Sequence, residues 1–215
     1  MRPRRCALSP LAPWLYRAPA PSPPPSPSRP PAEHNYIANA SYSGLTLGWG
    51  WGREESRRGG NIVRANHIAG AQVTRCCDGG GLYTLGPQPN SALTENYIAE
   101  GAPAGAWGPS KGNAIYHDNG SGGFTDTRNV IDGTWHTYFF QDDSLGPFGP
   151  GAVCHGRDGA PADCGMSFEN NWMRTSAGGT TEHVNTSFAN NTKLAPGSPF
   201  PPDAAAIISA AGPRF

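Results

Sequence analysis

After residue 33 the chain keeps returning to one short phrase. HNYIAN at Asn35, ANHIAG at Asn66, ENYIAE at Asn96, RNVIDG at Asn129, ENNWMR at Asn170 and ANNTKL at Asn190 recur at intervals of 31, 30, 33, 41 and 20 residues. Five of the six put an Asn two places before an apolar residue, and the sixth has Thr192 there. A period of roughly 20–50 residues marks a stacked-repeat architecture, because one such unit cannot bury its apolar face without a neighbour. The segments between the phrases are too short and too glycine-rich for helix pairs, and they suit short strands bounded by turns. The expected fold is all-β, a right-handed parallel β-helix of about six coils. An Asn at each turn tolerates the left-handed backbone, and stacked amides hydrogen-bond from coil to coil. The apolar residue two places on then points inward.

A second column alternates with the first. SGLTLGW (43–49), GGLYTLG (80–86), NAIYHDN (113–119) and TYFFQDD (137–143) each fall between two of the Asn phrases. Leu45, Leu82, Ile115 and Phe139 are expected to stack inside the solenoid. The competing arrangement is an ordinary β-sandwich. Composition agrees with many short strands: Gly 29 and Pro 23 are plentiful and the charged fraction is only 15%, which disfavours a helical bundle.

The two ends differ from the middle. Residues 1–32 form a proline-rich leader with Arg2, Arg4, Arg5, Arg17 and Arg29 and no acid. Its apolar patch is broken by Pro10 and Pro13, a poor signal-peptide core. An organelle transit peptide, a stiff polyproline II spacer and a mispredicted gene start all fit it. Residues 33–200 are the expected β-helix domain. In residues 201–215, Pro201-Pro202-Asp203 before AAAIISAA and a closing Gly212-Pro213 predict a short helix, expected to cap the open C-terminal edge. At the other end the leader runs almost directly into the first Asn turn, so coils of a longer solenoid are expected to be missing there.

Several function classes are disfavoured. Sixteen basic and sixteen acidic residues leave no net charge, hence no basic field for nucleic acid or an anionic membrane. No apolar run approaches the ~18–20 residues of a membrane span. Five cysteines include the adjacent Cys76 and Cys77, read as buried inert thiols, and Cys154 and Cys164, which could close a loop disulfide in an oxidising compartment. No His/Cys cluster has zinc spacing and no aspartate-rich calcium loop is present, so neither a metal nor a cofactor is expected.

The acids near the strand column are Asp78, Asp118 and the Asp142-Asp143 pair. If the strands align on Leu82, Ile115 and Phe139, Asp118 and Asp142 occupy equivalent positions about 4.8 Å apart on neighbouring coils. Glycosidic hydrolysis needs two carboxyl groups, about 5–5.5 Å apart for retention and about 6.5–9.5 Å for inversion. Neighbouring coils supply such spacings. Trp49, Trp51, Tyr83 and Tyr116 lie on or near the same column, where exposed rings stack on sugar C–H faces. Arg53, His117, Gln141 and Asp143 are placed to bond hydroxyls. The bland alternatives are turn-forming aspartates and core-packed rings. His67 is read as a loop histidine.

The Asn-x-Ile turns, GLTLGWGW, DGGGLYTLG, IYHDNGSGG and AAAIISAAGPR together resemble right-handed β-helix proteins of the pectin-lyase-like superfamily, in particular glycoside hydrolase family 141. The resemblance covers roughly residues 34–213. It implies carbohydrate hydrolysis, of the fucosidase or xylanase kind, with Asp78 and Asp118 as the catalytic pair and a polysaccharide or oligosaccharide as partner. The chain departs from the family in having Asn119 where Glu is usual, His117 just before the aspartate, and no long N-terminal region. Two alternatives stand beside it: a polysaccharide lyase, for which no Arg or Lys sits on the strand column with clustered acids, and a non-catalytic sugar-binding or cell-wall solenoid. A secreted or cell-wall location is expected. Four glycosylation patterns, at Asn39, Asn119, Asn185 and Asn190, add little in so Asn-rich a chain. Oligomeric state is not legible.

Overall fold

The computed structural model describes residues 30–48, 59–71, 79–99, 113–118, 120–133, 164–174 and 186–215, together with the backbone of 136–140, 153–155 and 161–163. The chain passes through three sheets in turn. The first passage is β1 (Ala32–Glu33), β2 (Tyr36–Ala38) and β3 (Leu45–Leu47). The second is β4 (Ile62–Arg64), β5 (His67–Ala69) and β6 (Gly80–Thr84), and the third is β7 (Pro87–Thr94), β8 (Tyr97–Ala99) and β9 (Asn113–His117). The fourth is β10 (Gly122–Thr127), β11 (Val130–Asp132) and β12 (His136–Phe140). An antiparallel hairpin follows, β13 (Val153–His155) with β14 (Pro161–Asp163). Then come β15 (Met166–Glu169) and β16 (Trp172–Arg174), β17 (Thr186–Ala189) and β18 (Thr192–Leu194), and finally α1 (Pro202–Ala210).

The first sheet runs β1-β4-β7-β10-β15-β17, the second β18-β16-β11-β8-β5-β2, and the third β12-β9-β6-β3. Within them every neighbour is parallel. The protein is therefore mostly β with parallel sheets. One apolar cluster draws on all three, among it Val63, Leu93, Phe124 and Phe168 of the first sheet, Ile68, Ile98, Ile131 and Met173 of the second, and Leu82 and Ile115 of the third. Each such side chain contributes roughly 1.5–3 kcal/mol by leaving water.

The turn between the first and second sheets explains the repeated phrase, with a shift of one residue. Asn35, Asn66, Asn96, Asn129, Asn171 and Asn191 form a ladder in which each side-chain oxygen accepts from the backbone N–H and the amide of the preceding Asn, at 2.8–3.2 Å. The ladder thus uses Asn171 and Asn191 where Asn170 and Asn190 were expected. The left-handed residue is the one before each ladder Asn: His34, Ala65, Glu95, Arg128, Asn170 and Asn190 all have φ between 52° and 57°. The Asn residues serve as hydrogen-bonding spacers and their neighbours carry the turn. The inward residue two places on is Ile37, Ile68, Ile98, Ile131, Met173 and, on β18, Lys193.

Lys193 sits in the apolar column but on an edge strand, and it is exposed. An inward-pointing charge on an open edge opposes pairing with another strand. Lys193→Ile is expected to convert a concentration-independent mass into one that rises with concentration, measured by light scattering. An unchanged mass across the range would refute that role.

Three further expectations are revised. In the third sheet Leu45, Leu82 and Ile115 align with Tyr138 rather than Phe139. His67 lies on β5, between the rings of Tyr36 and Tyr97 at 5.0 and 4.7 Å. The C-terminal helix forms where expected, but it does not cover the β17–β18 end. Its buried Ala204 and Ile207 pack on Val130, with Tyr97, Trp172 and Phe200 around them. It therefore lies along the outward side of the second sheet, where alternating side chains of β8, β11 and β16 offer apolar surface. Beyond it the Gly212 N–H donates to the Ala65 carbonyl and the Gly212 carbonyl meets His34 Nδ1 at 3.1 Å. No helix among the described residues is long and apolar enough to cross a membrane. Cys164 is disulfide-bonded; the side chain of Cys154, its expected partner, lies outside the described residues.

Candidate functional site

The third sheet carries the acid-bearing edge. Along β6 the side chains alternate: Leu82 and Thr84 face the interior and Tyr83 faces out. Along β9 Ile115 and His117 face in and Tyr116 faces out. The glycine before Leu82 is a packing requirement, since a Cβ on Gly81 would lie 2.6 Å from Ile98 Cγ2 and 2.8 Å from the Ala114 carbonyl oxygen. Tyr83 and Tyr116 meet edge-on at 5.2 Å and 87°, and with Leu85 they form a second apolar cluster, separate from the interior one. Tyr42 approaches Tyr83 at 5.7 Å.

Asp118 follows β9 directly. Its backbone N–H donates to the Thr84 carbonyl at 3.0 Å, and its own carbonyl accepts from the Ser121 N–H at 2.9 Å. The Tyr83 hydroxyl donates to its Oδ2. Burial, then the adjacent Asp118 carboxylate, pushes the Tyr83 phenol far above the usual tyrosine range, so this hydroxyl keeps its proton at neutral pH. A donor fixed in this way stabilises an anionic carboxylate and fixes where its oxygen points.

Behind this edge lies a chain of buried polar groups that sequence reasoning missed. Ser121 Oγ meets Thr84 Oγ1 at 2.8 Å, Thr84 Oγ1 meets His117 Nδ1 at 2.8 Å, and His117 Nε2 meets Asp126 Oδ2 at 2.9 Å. Both partners of the last pair are wholly buried, with the His117 ring 5.3 Å from Phe124 and 5.6 Å from Phe168. Burial pushes the Asp126 carboxyl above its ordinary range, and His117 pulls against that. Asp126 Oδ1 has no hydrogen-bond partner among the described residues.

The expected site residues fall into four groups. Asp118 is where a site acid was sought, though only 3% exposed. Tyr83 and Tyr116 are on the right face but are 2% and 0% exposed; they pack against each other and are not free platforms for a sugar ring. His117 was expected to bond hydroxyls, yet the pleat turns it inward onto Asp126 and Thr84, so it has no path to a substrate. Asp78, Asp142, Asp143, Trp49, Trp51, Arg53 and Gln141 lie outside the described residues. The register fixes the described strands on either side of Asp118. Gly80 pairs with Asn113, five residues before Asp118, so Gly80 and Asp118 are separated by ~17 Å of strand. At the other side Phe140 pairs with His117.

No family model matches the chain, and no curated protein matches it. Among solved structures, one named a glycoside hydrolase superposes on 85% of this chain with a TM-score of 0.52 and 24% sequence identity. The chain shares its fold with a glycoside hydrolase. It spans 22% of that structure's length, so the likeness concerns one part of a much larger protein.

Proposed function

We propose that the three sheets are the faces of a right-handed parallel β-helix of six coils, of the pectin-lyase-like kind, and that the outward edge of the third sheet is the active site of a glycoside hydrolase of the family 141 type. Parallel strands joined by crossovers are right-handed in nearly all known cases, and the ordered return of the chain to each sheet supports a solenoid. The observation that carries the functional reading is Asp118: its backbone is fixed by the Thr84 carbonyl and the Ser121 N–H, and its carboxylate accepts from the Tyr83 hydroxyl.

In this reading Asp118, stabilised as an anion by Tyr83, is the nucleophile or base. A second carboxyl protonates the departing glycosidic oxygen. Asp78, Asp142 and Asp143 are the candidates for that part, and the pair must lie within about 5–9.5 Å. Trp49, Trp51, Arg53 and Gln141 remain the proposed sugar contacts, and a cell-wall or extracellular polysaccharide the proposed substrate. A non-catalytic carbohydrate-binding solenoid is the second reading, favoured by the burial of Asp118.

The test is reducing-sugar release from a panel of aryl glycosides and cell-wall polysaccharides. Asp118→Asn is expected to lower turnover by at least about a thousandfold with an unchanged circular dichroism spectrum; an effect of this size follows when a group acting directly on the reacting atoms is lost. Among Asp78→Asn, Asp142→Asn and Asp143→Asn, the one that removes the second acid should match it. Full activity in Asp118→Asn would end the hydrolase assignment at this site. Sugar binding without release, unaltered by these substitutions, would establish the second reading.

A further inference from the structure

Thr84 is wholly buried and no part of it can touch a substrate, yet three hydrogen bonds from the segment carrying Asp118 converge on it. Its carbonyl takes the Asp118 N–H at 3.0 Å, and its hydroxyl holds His117 Nδ1 and Ser121 Oγ, each at 2.8 Å. The Ser121 N–H to Asp118 carbonyl bond at 2.9 Å closes a ring through Thr84, Asp118 and Ser121. His117 is fastened in turn to Asp126. The residue before Asp118 and the residue three after it are thus tied to one oxygen atom, on a β-branched side chain whose χ1 is restricted.

We propose that Thr84 is the positioning residue of the site, a clamp that holds His117, Asp118 and Ser121 and through them sets the aim of the Asp118 carboxylate at Tyr83. The catalytic part of this rests on the hydrolase reading; the structural part does not. The Thr84 hydroxyl is not needed for packing volume, because Val has nearly its shape. It is needed because a side chain with one donor and acceptor capacity to spare can hold a ring nitrogen and a second hydroxyl at once.

The experiment compares Thr84→Val, Thr84→Ser and Ser121→Ala in the full chain by two readouts. The first is the kcat and KM of whichever glycoside the parent hydrolyses. Thr84→Val is expected to lower kcat by about a hundredfold, the scale of an ångström misplacement, at unchanged KM, and Thr84→Ser to restore it. The second is the Cζ resonance of Tyr83 in protein labelled with 13C-tyrosine, assigned with Tyr83→Phe. Thr84→Val should move it toward its position in Asp118→Asn, and Thr84→Ser should return it. Ser121→Ala, a milder change, should move it part of the way even if Thr84→Val does not fold. A parent without turnover would count against the hydrolase reading and leave the resonance to decide the clamp. A Tyr83 resonance unmoved in folded Thr84→Val or Ser121→Ala overturns the clamp.

Discussion

Replacing Asn96 by Ala is expected to lower the unfolding free energy by about 3 kcal/mol, the scale of leaving buried polar groups unsatisfied. Asn96 is wholly buried, accepts from the Asn66 N–H at 3.1 Å and its amide at 2.9 Å, and donates to the Val63 carbonyl and Asn129 Oδ1 at 3.0 Å each. Alanine strands the Asn66 N–H and strips a donor from two buried oxygens. The same substitution at Asn35, an exposed end of the ladder, removes bonds that water replaces and should cost under about 1 kcal/mol. Urea denaturation of the two variants measures the contrast. Equal losses would mean that the ladder does not act by satisfying buried groups.

Removing His117 should do at least as much damage. His117→Ala leaves the Asp126 carboxylate buried without its partner and opens space beside Phe124 and Phe168. Breaking a buried pair from one side typically costs about 3–5 kcal/mol. The direction of pH dependence follows from Asp126, whose carboxyl is raised by burial. The folded chain therefore holds that proton more tightly than the unfolded one. The resulting stability is complete below the unfolded value near 4 and is lost as pH climbs through the folded value. The penalty of His117→Ala should accordingly shrink on acidification. Asp126→Asn, which cannot ionise, should be within about 1 kcal/mol of the parent, or more stable, at neutral pH. Stability curves at pH 5 and pH 8 test both. A His117→Ala penalty independent of pH would place the loss in packing alone.

How much of this could be read beforehand depended on which residue was taken as the repeat's origin. The Asn-x-Ile phrase located all six passages and the strand column that carries Asp118. The double Asn at 170–171 and again at 190–191 hid the register, because either residue looks able to take a left-handed turn. Counted from the true ladder, the residue three places earlier is Ala32, Val63, Leu93, Asp126, Phe168 and Phe188. Asp126 stands out as a charge in an apolar column, and Lys193 does so two places after Asn191. The origin shifted by one concealed Lys193 as a core-column residue. His117 was misjudged because its neighbours Tyr116 and Asp118 face outward, and strand alternation then requires His117 to face inward. Burial of Tyr83 and Tyr116 was not legible, since it depends on what covers the outward face and not on the strand itself.

In the proposed solenoid, the position of α1 changes how the stack comes apart. A stack of repeats held only by nearest neighbours behaves as a zipper, and each end frays without informing the other. Here the segment after α1 returns to the first and second passages, at His34 and Ala65, while the helix spans the strands between. The zipper is fastened into a bracelet: peeling β18 from one end drags on the clasp that holds the turn before β2 at the other, so the two edges share one opening event.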